Sequence, residues 1–325
     1  MTSPILLAVP NVSEGRDASV IDAIGQAFER GRCAEGATSK REAGTETVQS
    51  PVRLLDVHSD GDHHRSVFTL AGHPNELADA LLRGTQTAIQ QIDVMTRTAS
   101  GGRDAGQHPH VGAVDVVPLV FLDPESRGAA CAAALVVADR IGFELEVPVF
   151  LYGELAGNGP GSGRAELRRG GVVGLAERMA PSADAGSARR PDFGPPRMHP
   201  TAGATLVAAR EPLVAFNLQL QEPATVEDAR RVAALIREGG ADGLPGVRAI
   251  GVSLEGHVAQ VSMNVERPLE VSLAAVLAAV ARHAPVASAE LVGLAPRAAL
   301  RDFPEDVPMP GFDPARHVIE NALGS

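Results

Sequence analysis

The 325-residue chain has no tryptophan and one tyrosine, and aromatic residues make up 3% of it. A surface that stacks nucleobases needs several exposed rings, so base stacking is excluded. Two cysteines, Cys33 and Cys131, cannot build a disulfide framework and point to a reducing compartment, the cytoplasm. No apolar run reaches the ~18 residues of a membrane span. The start, MTSPILLAVPNVSEGR, lacks a basic leader and its apolar stretch stops at Pro10, so no signal peptide is expected. Positive charge is also short: the formal net charge is −11, which argues against non-specific nucleic-acid binding. It leaves room for a small anionic ligand in a local basic pocket.

Hydrophobic residues at 44%, with 34 glycines and 24 prolines, give enough material for cores built from short elements with many turns. Periodicity orders them. A strand is expected at 5–9, a polar loop at NVSEGR, and a helix through Val20, Ile21, Ile24, Ala27 and Phe28. A polar stretch at 31–51 reads as surface loop. Strands follow at 52–57 and 65–72, a helix at 75–92, and a strand at 113–122. This is the β-α-β-β-α-β order of ferredoxin-like units, extended by a helix at 125–142 and a strand at 147–152. GNGPGSGRAELRRGG, which begins at Gly157, lacks the Lys-Ser/Thr ending of a phosphate loop and reads as plain loop. A long connection covers 181–203, then a short strand 204–208.

Arg210-Glu211-Pro212 marks a boundary, so domains of 1–209 and 210–325 are expected. The second repeats the pattern: strand 213–221, helix 225–238 with Thr225 as N-cap, strands 247–254 and 257–265, helix 270–283, strand 286–293. Helices are expected near 296–302 and 313–323. The fold class is therefore α/β (α+β): two ferredoxin-like βαββαβ-type subdomains with facing sheets and outer helices. Several strands carry polar residues on one face: Arg65 and Thr69, Asn217 and Gln219, Gln260 and Ser262. Asp115 interrupts an apolar strand. Two sheets facing across a wet cleft, with Arg65, Asp115, Asn217 and Gln260 lining it, account for these groups, because buried polar atoms need partners.

VPNVSEGR (9–16), HPHVGAVDV (108–116), PDFGP (191–195), LVAFNLQL (213–220) and LVGLAP (291–296) together resemble the glutamate formimidoyltransferase family, the formiminotransferase domain of formiminotransferase-cyclodeaminase. The resemblance implies transfer of a formimidoyl group from N-formimidoyl-L-glutamate to N5 of tetrahydrofolate, the cosubstrate, in histidine degradation. It places the catalytic histidine on His108 and the folate-binding stretch on Gly194, Pro195, Pro196, Arg197, Met198, His199, Pro200, Thr201, Ala202 and Gly203. The substrate is expected to meet Asn11, Ser13, Glu14, Arg16, His64, Arg65, His110 and Asn217. The partners are small molecules, with no nucleic acid and no membrane, and the assembly is expected to be a homodimer.

The chemistry suits these residues. The attacking nitrogen must lose a proton and the leaving nitrogen must gain one, and an imidazole titrating near neutrality does both. Pro109 restricts the backbone of His108 to extended geometry. Asp115 is the carboxylate that would orient or charge-stabilise the site, by analogy with base–carboxylate pairs. Four positions depart from the family pattern: Gln107 stands for Glu, His110 for Arg, His58 for Asp and His64 for Asn. They keep an alternative open, a diverged member acting on another one-carbon donor or acceptor. A metal-dependent reaction through His58, His64, His108 and His110 is left open for that member, with His63 and oxygens from Asp56, Asp60, Asp62 or Asp104 available.

Overall fold

The computed structural model of the chain describes residues 3–29, 52–99, 109–157, 163–180 and 188–324. It is a mixed α/β structure with one seven-stranded and one four-stranded sheet. Two compact units are present: Met1–Leu54 with Ser59–Arg210, and Leu55–His58 with Glu211–Ser325.

In the first unit the buried strand β1 (Leu6–Ala8) stops at Pro10, which has no N–H to donate, and resumes as β2 (Asn11–Val12). Both halves pair antiparallel with β4 (Arg65–Gly72) on one side and β5 (Val114–Val120) on the other. A register shift falls between Asn11 and Val12. The loop expected at NVSEGR therefore begins two residues late: Pro10 costs one ladder bond and the strand recovers through a bulge. β3 (Val52–Asp60) pairs with β4. β7 (Thr205–Arg210) lies parallel between β5 and β6 (Val149–Gly153).

Helices α1 (Ala18–Glu29), α2 (Pro74–Gln91) and α4 (Arg127–Glu144) bury their apolar faces with one side of this sheet. Phe28, Phe68, Leu70, Leu81, Leu119 and Ile141 are fully enclosed there. A short helix α3 (Val94–Ala99) follows α2.

The expectation of plain loop after Gly157 is corrected for the described part. Arg164–Leu167 forms α5, and Gly171–Met179 forms α6. Leu167, Leu175 and Met179 pack with Val116, Phe150, Tyr152 and Leu206 in a second apolar cluster. Helices thus cover both faces at this end of the sheet. The helical spacing Val172, Leu175, Met179 carried the signal for α6.

The second unit is βαββαβ: β8 (Val214–Leu220), α7 (Val226–Ile236), β9 (Val247–Ser253), β10 (Ala259–Val265), α8 (Leu273–Ala281) and β11 (Val286–Val292). The strand order is β11-β8-β10-β9, antiparallel throughout. Thr225 caps α7: its Oγ1 accepts from the Asp228 N–H, and its own N–H donates to Asp228 Oδ2 at 2.9 Å. Val214, Phe216, Leu218, Val261 and Met263 belong to the helix-side core. Short helices α9 (Pro314–His317) and α10 (Ile319–Gly324) end the described chain. Among the described residues no helix is long and apolar enough to cross a membrane.

Candidate active site

At the end of β2 the chain turns through Ser13, Glu14, Gly15 and Arg16. Gly15 is required there. A Cβ on it would lie 2.2 Å from the Asp60 carbonyl oxygen and 2.6 Å from the Arg65 nitrogen, so only glycine lets this turn rest on the β3–β4 connection. Ser13 Oγ donates to the Gly112 carbonyl at 2.7 Å, and its N–H donates to the Ala113 carbonyl. The turn is thereby stitched to the segment entering β5.

Glu14 is buried, yet its carboxylate is well supplied. Oε1 accepts from the backbone N–H groups of Gly15, Arg16 and Asp17 at 2.9–3.1 Å, and Oε2 pairs with Arg97 at 3.0 Å. Burial pushes its pKa up, but the Arg16 and Asp17 N–H groups, His64 and Arg97 outweigh it and hold it below the ordinary value. His64 sits in the left-handed region, φ 50°. Its Nδ1 accepts from the Gly15 N–H at 3.1 Å and lies 3.3 Å from Glu14 Oε1.

Asn11, Ser13, His64, Arg65, His110 and Asp115 line one narrow pocket, with Val12 and His63. Asp115 is buried. Its Oδ1 accepts from the Val111 N–H at 2.9 Å, and its Oδ2 accepts from Arg168, the residue that ends α5. This explains the carboxylate inside an apolar strand. Arg65 is lowered to about 10 by burial first and then by the charge of Arg168, against the pull of Asp60 and Asp115.

The other expected residues distribute as follows. Arg16 is exposed and donates from Nε to the Gly61 carbonyl at 2.9 Å. Asn217 belongs to the second unit, where it is buried and donates to Glu290 Oε2 at 2.8 Å; His58 Nε2 is 3.4 Å from Glu290 Oε1. Gln107, His108 and Asp104 lie outside the described residues. Of the stretch 194–203, the end His199–Gly203 is a closed turn with reciprocal backbone bonds, and His199 Nδ1 accepts from the Ala202 N–H at 3.0 Å. Its Ala202 carbonyl accepts from Ala113, and Ala204 donates to Val111, so the turn adjoins the segment that carries His110. Burial lowers the His199 pKa, only partly offset by Glu146. Pro196, Arg197 and Pro200 are exposed on this frame, while Gly194 and Pro195 border a groove with Asp139, Gly142, Phe143 and Glu146.

Among the described residues no three His, Cys, Asp or Glu side chains are placed to hold one metal ion. The structure thus lends the metal-dependent alternative no support there. Arg97 and Arg168 were not anticipated. Each is an ordinary basic residue near a short helix, and its partner lies far off in the chain.

Comparison with known proteins decides the family. Residues 5–210 match the formiminotransferase domain, N-terminal subdomain, and residues 215–305 match the formiminotransferase domain. The chain belongs to the formiminotransferase family. This formiminotransferase is 35% identical over 326 residues to a glutamate formimidoyltransferase of Streptococcus pyogenes serotype M1, covering 98% of each chain. It is 31% identical over 313 residues to a glutamate formimidoyltransferase of Thermoplasma acidophilum, covering 94% of this chain and 93% of that one. It is also 35% identical over 312 residues to a formimidoyltransferase-cyclodeaminase of Sus scrofa, spanning 92% of itself and 52% of that relative.

Proposed function

We propose that the protein is a glutamate formimidoyltransferase, transferring the formimidoyl group of N-formimidoyl-L-glutamate to tetrahydrofolate. The likeness over 98% of both chains to a protein of that name carries the reading. The pocket supports it, because the motif residues Asn11, Ser13, His64, Arg65, His110 and Asp115 converge there.

Tetrahydrofolate supplies the accepting nitrogen, N5. His108, three residues before Val111, takes the proton from that nitrogen and returns one to the leaving glutamate nitrogen, as the bond to the formimidoyl carbon forms on one side and breaks on the other. Asp115 orients the segment through the Val111 N–H. Arg65 holds a substrate carboxylate with its planar fork. His110, at a position where the family resemblance implies arginine, helps select the donor, with Asn11, Ser13 and His64 shaping the wall and Glu14 fixing His64. The exposed Arg197 suits the anionic tail of the folate, and the pinned turn His199–Gly203 fits a role as its platform.

The reading extends to histidine degradation, to a cytoplasmic setting consistent with Cys131 as a free thiol, and to a homodimer. For the dimer, exposed Leu135, Val136 and Phe143 on α4 offer apolar surface, and light scattering at micromolar concentration tests it. The activity test is direct. Purified protein with N-formimidoyl-L-glutamate and tetrahydrofolate should yield 5-formimidoyltetrahydrofolate and glutamate, detected by mass spectrometry. No product under saturating substrates rejects the assignment.

A further inference from the structure

Among the described residues Arg65 is a cation without a paired anion. Its Nε is buried with no hydrogen-bond partner, and its side chain makes no ion pair with the described residues. A guanidinium stays charged and carries five donors in a fixed fork. Two carboxylates exert an opposite charge on it, Asp60 and Asp115, and both are engaged elsewhere. Asp60 Oδ1 accepts from the Asp62 and His63 N–H groups at 2.9 Å, and its Oδ2 lies 3.7 Å from His63 Nε2. Asp115, which shares the pocket with Arg65, spends Oδ1 on Val111 and Oδ2 on Arg168. Arg168 is itself buried. It follows Leu167, which anchors the end of α5 in the apolar cluster on β5, β6 and β7. Within this trio Asp115 and Arg168 cancel, and Arg65 is the charge left over.

We propose that Arg168 is a specificity-determining positioning residue. By holding Asp115 it keeps Arg65 open for a carboxylate of the amino-acid donor. The inference rests on the transferase reading for the identity of that donor. Without Arg168, the freed Asp115 carboxylate turns to Arg65 and competes with the substrate. The kinetic arms of the test distinguish the donor from the glutamate tail of the folate as the source of the carboxylate.

The test combines donor kinetics with calorimetric binding of L-glutamate, which keeps both donor carboxylates. Wild-type protein that binds glutamate but does not turn over would reject the transferase reading and leave this inference standing. Arg168→Met is expected to raise the donor KM and the glutamate Kd about tenfold or more, with kcat and the tetrahydrofolate KM changed by less than about twofold. Asp115→Asn keeps an oxygen for Val111 and removes the competing charge, so its glutamate Kd should not rise, although its kcat should fall because Asp115 orients the catalytic segment. In the double variant Asp115→Asn/Arg168→Met the glutamate Kd alone is read, and it should return to within about threefold of wild type.

A double variant as weak as Arg168→Met would show that Arg168 acts only through packing and would overturn the proposal. So would absent glutamate binding by the wild type, or a rise in the tetrahydrofolate KM in place of the donor KM. Should Arg168→Met not fold, Arg168→Lys keeps the charge and loses the fork. It should raise the donor KM about two- to fivefold, and an unchanged value would also overturn the proposal.

Discussion

Arg97 and Glu14, 83 residues apart in the chain, meet at 3.0 Å, and a second Arg97 nitrogen donates to the Ser13 carbonyl at 2.7 Å. One guanidinium thus ties α3 to the turn that forms one wall of the pocket. The carboxylate it meets also gathers three backbone N–H groups near the start of α1.

Glu14→Gln should therefore destabilise the protein by about 1–3 kcal/mol at pH 7, the range for hydrogen bonds to a charged group that becomes neutral. The pH dependence has a definite sign. Glu14 titrates lower in the folded protein than its ordinary 4.5. Its contribution is present above 4.5 and is lost as pH falls through the lower folded value. Urea unfolding of wild type and variant should show a gap that is full at pH 7 and narrows below pH 4.5. A gap constant from pH 7 to pH 3 contradicts the argument.

His108→Ala should lower turnover by about two to four decades, the usual span for one acid–base group, with substrate binding largely kept. His110→Arg should keep part of the activity and change the preference among formimidoyl donors, because a permanent fork binds carboxylate more firmly than imidazole. Steady-state kinetics separate the two. Equal losses in both variants would argue that the pair acts as one unit.

Arg65→Met sets stability against function. Removing a buried cation that has no partner among the described residues should raise stability by about 0.5–2 kcal/mol. It should cost at least about thirtyfold in kcat/KM for the donor, the lower end for truncating one side of a buried charge pair. Thermal unfolding and kinetics on one preparation check both. A variant that is less stable and fully active would refute the role given to Arg65.

Gly84→Ala probes the packing that supports the sheet. A Cβ there would lie 2.1–2.2 Å from ring atoms of Phe28, which is fully buried and 5.2 Å from Phe68 between ring centroids. Alanine favours a helix by about 1 kcal/mol over glycine, while overpacking a filled core costs about 1–3 kcal/mol. The ring has nowhere to move, so the packing cost should win. Chemical denaturation showing a gain in stability would mean that α1 and α2 separate more easily than the packing implies.

Much of this architecture was legible from periodicity. The strand expected at 65–72 is β4 to the residue, Thr225 caps α7, and the βαββαβ order of the second unit follows the alternation of Val214, Phe216, Leu218 and Leu220 against Asn217 and Gln219. The alternation also marked Arg65 and Asp115 as polar groups needing a reason. The resemblance of five spaced motifs named the family.

What the sequence by itself determined is therefore local pattern: element type, element order, and which residues share a face. These depend on neighbours two to four positions away, and the 2.0 and 3.6 periods record them. Only the tertiary structure decided the pairings. Asp115 finds Arg168 across 53 residues, Glu14 finds Arg97 across 83, and Ser13 reaches Gly112 across 99. The pairing of Asn11–Val12 beyond Pro10 and the seating of α5 on the sheet are of the same kind. The first arginine of LRRGG looks like any surface cation until the fold sets a buried carboxylate against it. Whether a charge is spent or left available is a property of its distant neighbours, and local pattern does not encode them.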